Sequence, residues 1–397
     1  MTRSLDGIRV IDAASLAAGP LVATYLGELG AEVIKIEQPG TGDAIRSWGA
    51  QKNGHGLMWK SVGRNKRTAT LDLRKPAGQQ LFCELAAVAD VVIINTRPST
   101  LERWGLSYES LATVNPGLVM LHVTGFGAGG PNSDRPGFGT LGEAMSGFAH
   151  TTGEQDGPPT LPSFMLADGV AALTGTYAVL AALYHRDMHG GTGQLIDLNL
   201  VEPLARLLEQ SVLTYDQLGI VPTRAGNKWD ISAPRNTYRT KDDQWIAVSG
   251  SAPTVAKRIF KAIGRAELAD DPDFGDPQQR LKNADAVDAA VAEWIIARTL
   301  DEAMTVFELE EVAAAPVYDA PRLLADPHLQ ARKTYAPVDD PDLGSIRMQA
   351  PVPRLSQTPA VIDHTGRGLG ADNAYVYGEI LALTEEEIER LRSDNVI

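Results

Sequence analysis

The sequence predicts an α/β protein: a parallel sheet covered by helices, with a smaller α+β unit later in the chain. Three observations carry that reading. Strand-like and helix-like segments alternate through the first 125 residues, a polar stretch interrupts the pattern at 221–234, and a new alternation begins at Asn236. Alternation of this kind means βαβ units, whose strands run parallel. Residues 9–12 read as the first strand, 19–29 as a helix and 32–36 as the second strand. A helix over 76–89 leads into the apolar strand 91–94, and another over 101–114 leads into 118–123. The stretch 125–162 is rich in Gly and Pro without periodicity, which predicts a long functional loop. An apolar helix from Gly169, a strand over 194–200 and a helix through Leu204 and Val212 follow.

Beyond the break, a strand over 245–248 and helices over 254–263, 286–298 and 300–309 form the smaller unit. The tail shows strand character at 346–348 and 351–355. Thr384 with Glu387 three residues on is a capping box that announces a last helix. The expected domains are a large one over 1–220, a small one over 225–325, and a return to the large one over 330–397.

The chain has 397 residues, 44% hydrophobic and 22% charged, and its formal net charge of −14 gives it no bulk attraction for nucleic acid or anionic membranes. The single cysteine, Cys83, excludes an intramolecular disulfide and a thiolate metal site, and its apolar surroundings predict an inert thiol. The N-terminal segment lacks an apolar signal region, and the apolar run 169–185 falls short of a membrane span of about 20 residues. A cytoplasmic protein is expected.

Several motifs are set aside on chemistry. Gly125-Phe126-Gly127-Ala128-Gly129-Gly130 matches a dinucleotide fingerprint in letters, but Pro131 to Pro136 follow where a helix must begin. His185 and His189 lie four apart without a third ligand nearby, and no G-x-S-x-G elbow occurs. Asp168 has two readings: a plain N-cap of the apolar helix, or a nucleophile kept ionised by the helix dipole. A basic island of Lys60, Arg64, Lys66, Arg67, Arg74 and Lys75, with Arg97 and Arg103 after the next strand, suits a phosphate-rich ligand or a solvated face.

One set of ordered motifs spans nearly the whole chain. It runs from Leu5-Asp6-Gly7-Ile8-Arg9-Val10-Ile11-Asp12 and Ala18-Gly19-Pro20 to Gly30-Ala31-Glu32-Val33-Ile34-Lys35-Ile36-Glu37 with Gly42-Asp43. Asn65-Lys66-Arg67, Leu71-Asp72-Leu73, Arg97-Pro98, Thr124-Gly125-Phe126-Gly127, Gly157-Pro158-Pro159, Ala167-Asp168-Gly169 and Gly191-Thr192-Gly193-Gln194 continue it. It resembles the class III (CaiB/BaiF-type) coenzyme A transferases, a family that also includes alpha-methylacyl-CoA racemase. The resemblance implies an open Rossmann-like large domain formed by both chain ends, an inserted smaller domain, and two chains interlocked as a homodimer.

The resemblance also implies a CoA-transferase without a prosthetic group, acting on an acyl-CoA and a small carboxylic acid. Asp168 is then the catalytic carboxylate, passing through an aspartyl-CoA thioester. Implied CoA contacts are Ala17, Ala18, Gln38, Leu71, Asp72, Leu73, Arg74, Asn95, Thr96, Arg97, Arg103, Arg135 and Phe138. Gly139 stands where the family usually has an acidic residue. Phe138 and Ala252 stand where family racemases have a histidine and a glutamate, and neither side chain can carry a proton, which disfavours racemisation. Ser249-Gly250-Ser251 matches a glycine-rich covering loop. Arg46, His150 and Arg235 are candidates for the substrate carboxylate.

Overall fold

The computed structural model describes residues 2–397. The chain forms two compact units. The first comprises the residues up to Ala149, Leu161–Ile220 and Arg332–Ile397, and the second comprises His150–Thr160 and Val221–Ala331.

The first unit is built on six strands: β1 (Arg9–Asp12), β2 (Glu32–Glu37), β3 (Lys66–Thr70), β4 (Val91–Ile94), β5 (Val119–Thr124) and β6 (Leu195–Asn199). Their order is β3-β2-β1-β4-β5-β6, and every pairing is parallel. Order reverses between β1 and β4, so the loops leaving their carboxyl ends part and open a crevice. Side chains alternate across the sheet. Val91 and Ile93 join one core with α1 (Ala18–Glu28), while Val92 and Ile94 join the other with α2 (Pro76–Ala87). Burial on both faces explains why this strand is continuously apolar.

The expected helix over 101–114 is two, α3 (Pro98–Trp104) and a separate Tyr108–Val114, because Gly105 turns left-handed between them. The stretch expected as a bare loop contains α4 (Gly139–Met145) and Phe148–Thr151. The apolar helix is longer than its sequence signal: α5 runs Leu166–Met188. Its 23 residues make it long and apolar enough to cross a membrane by length and composition, although one face packs on α1. Gly175 permits that approach, since a Cβ there would lie 2.9 Å from Val22 Cγ2. Beyond β6 the expected single helix is again two, α6 (Glu202–Leu207) and Glu209–Leu218.

In the second unit, β7 (Arg235–Arg239), β8 (Trp245–Ser249) and β9 (Ala314–Pro316) form an antiparallel sheet in the order β9-β8-β7. Helices Pro253–Ala262, Ala284–Ile296 and Leu300–Leu309 supply Phe260, Val291 and Phe307 to its core. In the tail, β10 (Tyr335–Asp340) pairs with β11 (Gly344–Gln349), whereas 351–355 is irregular. Thr384 caps the last helix, Glu385–Ser393, with both bonds of the capping box present.

Beneath the β1–α1 loop lies a dry charge network. Lys66 Nζ is 2.9 Å from Asp12 Oδ2 and donates to the Pro20 carbonyl at 2.6 Å. Lys35 Nζ pairs with Asp43 at 2.9 Å and donates to the Ala14 carbonyl. All four side chains are almost fully buried. Burial lowers the Lys66 ammonium to about 8, with Asp12 resisting the shift. Asp43 in turn accepts the Leu16 amide at 3.0 Å. Leu16 has φ 68°, a left-handed backbone that a bulky residue adopts only when its surroundings impose it. Asp12→Asn keeps the shape and removes the charge between two buried ammonium groups. Urea unfolding should show a loss of about 3–5 kcal/mol, and an unchanged midpoint would contradict the network's role.

Candidate active site

Asp168 is the third residue of α5, within its first turn, with Met165 in the N-cap position. The plain N-cap reading is therefore corrected: the helix begins at Leu166, before the apolar run that marked it in sequence. Asp168 lines a cavity of about 490 Å³ with Leu16, Ala17, Trp48, Gly139 and Glu143, and with Phe138 and Phe164 at its exposed rim. The left-handed turn at Leu16 sets Ala17 at the cavity wall and lets α1 begin at Ala18. The Ala18 amide bonds the Asp168 carboxylate.

Gly139 opens α4 against this carboxylate, and a Cβ there would fall on Asp168 Oδ2. No larger residue fits without displacing Asp168, so bare backbone faces the carboxylate here. One turn along α4, Glu143 is 3% exposed and accepts the Ala167 amide at 3.3 Å. Burial, followed by the charge of Glu143, raises the Asp168 carboxyl above the ordinary carboxylate range. Its own amide and that of Ala18 pull the other way. The dipole-only expectation of a readily ionised aspartate is thus corrected, because desolvation and a like charge outweigh the helix end.

A second cavity of about 360 Å³ opens at the sheet's switch point and shares Leu16 and Phe138 with the first. Ser15 from the loop after β1, and Asn95, Thr96 and Arg97 from the loop after β4, line it with Arg135. Asn95 is fixed by exchange with Ser15, donating to its carbonyl at 2.9 Å and accepting its amide at 3.0 Å. Arg97, Arg135 and Arg103 are exposed and form no ion pair among the described residues. Arg103, on α3, lines neither cavity.

The remaining predicted contacts gather at the ends of β2 and β3, outside both cavities. Leu71 and Asp72 are buried, Leu73 is half-buried, and Gln38 bonds Asp72. Arg74 forks onto Asp72 at 2.8 Å, which holds that carboxyl down at about 2. Most of the basic island is internal. Lys60 pairs with Asp340 and Asp342, Arg64 with Glu28, Lys66 with Asp12, and Arg67 stacks on Tyr375. Lys75 donates to the carbonyls of Asp394 and Asn395. Of the carboxylate candidates, Arg46 is forked onto Glu37 and stacked on Trp59, so it is engaged within its own unit. In the second unit Arg235 lines a cavity of about 470 Å³ with Ser249, while the His150 carbonyl accepts Arg224. Cys83 is half-buried, and burial raises its thiol.

A sequence profile of the family described as CoA-transferase family III matches residues 5–373. The chain belongs to that family. It is similar to the succinyl-CoA–D-citramalate CoA-transferase of Chloroflexus aurantiacus, 40% identical over 396 residues, covering 100% of this chain and 98% of the relative. The succinyl-CoA–L-malate CoA-transferase beta subunit of the same organism is 41% identical over 400 residues, with 100% and 98% covered. Among solved structures, a CaiB/BaiF family protein from Brucella suis superposes with a TM-score of 0.84 at 31% identity, covering 96% of this chain and 100% of that one. This family III transferase thus carries Asp168 and Glu143 in one cavity, and the sequence signalled only the first. The signal for Glu143 was its four-residue spacing from Gly139, one helical turn, within a stretch too rich in glycine to read as helix.

A raised carboxyl means that burying the ionised form costs stability. The contribution of Asp168 is most favourable below the unfolded carboxylate range and is lost as pH rises through its folded value. Asp168→Asn should therefore melt at a higher temperature than the parent at pH 7, with the gap closing toward pH 4. Thermal melts across pH check this, and a variant less stable at pH 7 would contradict it.

Proposed function

We propose that this enzyme moves CoA from an acyl-CoA donor to a carboxylic acid acceptor, with Asp168 as the covalent nucleophile. The supporting observation is the Asp168 carboxylate, held by the Ala18 amide in a cavity that adjoins the switch-point crevice. Arg97 and Arg135 in that crevice suit the phosphates of CoA, and the shared wall of Leu16 and Phe138 suits its thioester arm.

Asp168 attacks the thioester carbonyl; the new C–O bond forms as the C–S bond breaks, leaving a mixed anhydride and CoA thiolate. The thiolate then attacks the Asp168 carbonyl and releases the donor acid, which gives the aspartyl-CoA thioester. The acceptor carboxylate attacks that thioester, expelling thiolate, and the thiolate takes the acceptor acyl group to regenerate Asp168. Covalent relay divides one difficult exchange into steps of similar energy. Both relatives are named for succinyl-CoA, so we take that thioester as the first donor to test.

We further propose that residues 1–220 and 330–397, apart from the segment 150–160 that groups with the second unit, act as the large domain, that 225–325 act as the inserted small one, and that the protein works as a homodimer in the cytoplasm. Exposed apolar side chains support the dimer: Leu173, Tyr177, Tyr184 and Met188 follow one face of α5, and Val212, Leu213 and Leu218 crowd helix Glu209–Leu218, which buries none of its residues.

Incubation with a panel of acyl-CoAs, trapping with hydroxylamine or borohydride, and peptide mass spectrometry test the central reading. Modification should fall on the Asp168 peptide and vanish in Asp168→Asn, with kcat at least about 10³-fold lower. An unmodified Asp168 with CoA still bound would point instead to a racemase-like or purely binding role.

A further inference from the structure

Among the described residues, Glu143 is the one carboxylate besides Asp168 that lines the 490 Å³ cavity, and no cation lines it. It is 3% exposed, and it accepts the amide of Ala167, the residue directly before Asp168. Gly139, which opens the same helix, lacks the side chain that would otherwise stand between α4 and the Asp168 carboxylate. The two carboxylates thus share a partly dry cavity, where water screens charge weakly.

Among the described residues, the charged groups on the other elements packed on α5 are exposed or engaged elsewhere. On α1, Glu28 is bonded to Arg64; on α6, Glu202 is exposed and Arg206 pairs with Glu209. On β5, His122 bonds the Thr96 carbonyl, and on β6, Asp197 accepts the Ala128 amide. Asp43, beneath Leu16, is neutralised by Lys35.

We propose that Glu143 is a positioning and charge-tuning residue for Asp168, acting from one helical turn beyond Gly139. The proposal rests on the transferase reading above. Its carboxylate holds the Ala167 amide and so fixes the turn that presents Asp168. Its charge opposes that of Asp168 until Asp168 attacks. As the C–O bond forms and the C–S bond breaks, the negative charge leaves with the thiolate and the acylated aspartate is neutral. The repulsion is then relieved, so Glu143 favours the acylated states over the free carboxylate.

Glu143→Gln keeps an oxygen for the Ala167 amide and removes the charge. The acid limb of kcat/KM for the acyl-CoA should move to lower pH by about half to one unit, because Asp168 ionises more readily. The fraction of enzyme trapped by hydroxylamine at saturating donor should fall about threefold or more, with KM for the donor within about twofold. Glu143→Asp retains the charge and should keep the parent's acid limb at a lower kcat. A Gln variant with the parent's limb and trapped fraction, or an Asp variant shifted like Gln, would overturn the proposal. Asp168→Ala assayed in parallel separates the two claims. Full activity there would sink the transferase reading itself, whereas an inactive Asp168→Ala beside an unshifted Glu143→Gln would sink only the role of Glu143.

Discussion

The site depends on a buried charge network that lies below it. Asp12, Lys66, Lys35 and Asp43 come from three strands and a loop, and water reaches almost none of them. Such groups are stable only as a mutually satisfied set. Their common product is the backbone above them: Asp43 takes the Leu16 amide, and Lys35 and Lys66 take the carbonyls of Ala14 and Pro20. These contacts bracket residues 14–20, the turn that sets Ala17 against Asp168 and aims the Ala18 amide at it. A polar core is thus used to hold a strained turn, and the turn holds the carboxylate.

Opposing forces meet at Asp168. The Ala18 amide and its own amide favour the anion, while desolvation and Glu143 disfavour it, and the second pair prevails. A carboxylate left comfortable in water would be a weak nucleophile, and one made too costly would stay protonated. Burial at Asp168 thus acts in both senses, baring the anion while opposing its formation.

The sheet was legible because both its faces are buried, which leaves strands such as Val91–Ile94 without a polar residue. Asp168 stood out through its apolar helix, which left its role open, and through the family resemblance, which singled it out; the helix start was not legible, because Leu166 and Ala167 follow a proline-containing loop. The basic island misled for a definable reason. Its partners lie far away in sequence: Asp12 is 54 residues from Lys66, and Asp342 is 282 from Lys60. Spacing within the island carries no trace of them. Glu143 stayed hidden because a seven-residue helix flanked by Gly137 and Gly147 gives too little periodicity to declare itself. Nor could sequence show that 150–160 groups with the second unit, since that association depends on contacts far along the chain.

The central claim is that Asp168 passes through a mixed anhydride with the acceptor acid, and oxygen bookkeeping tests it most directly. When the acceptor carboxylate attacks the aspartyl-CoA thioester, one of its oxygens bridges to Asp168 and stays there after the thiolate removes the acyl group. Turnover with an ¹⁸O-labelled acceptor, followed by peptide mass spectrometry, should therefore place label in the Asp168 carboxylate. Turnover without label in Asp168 would contradict the account.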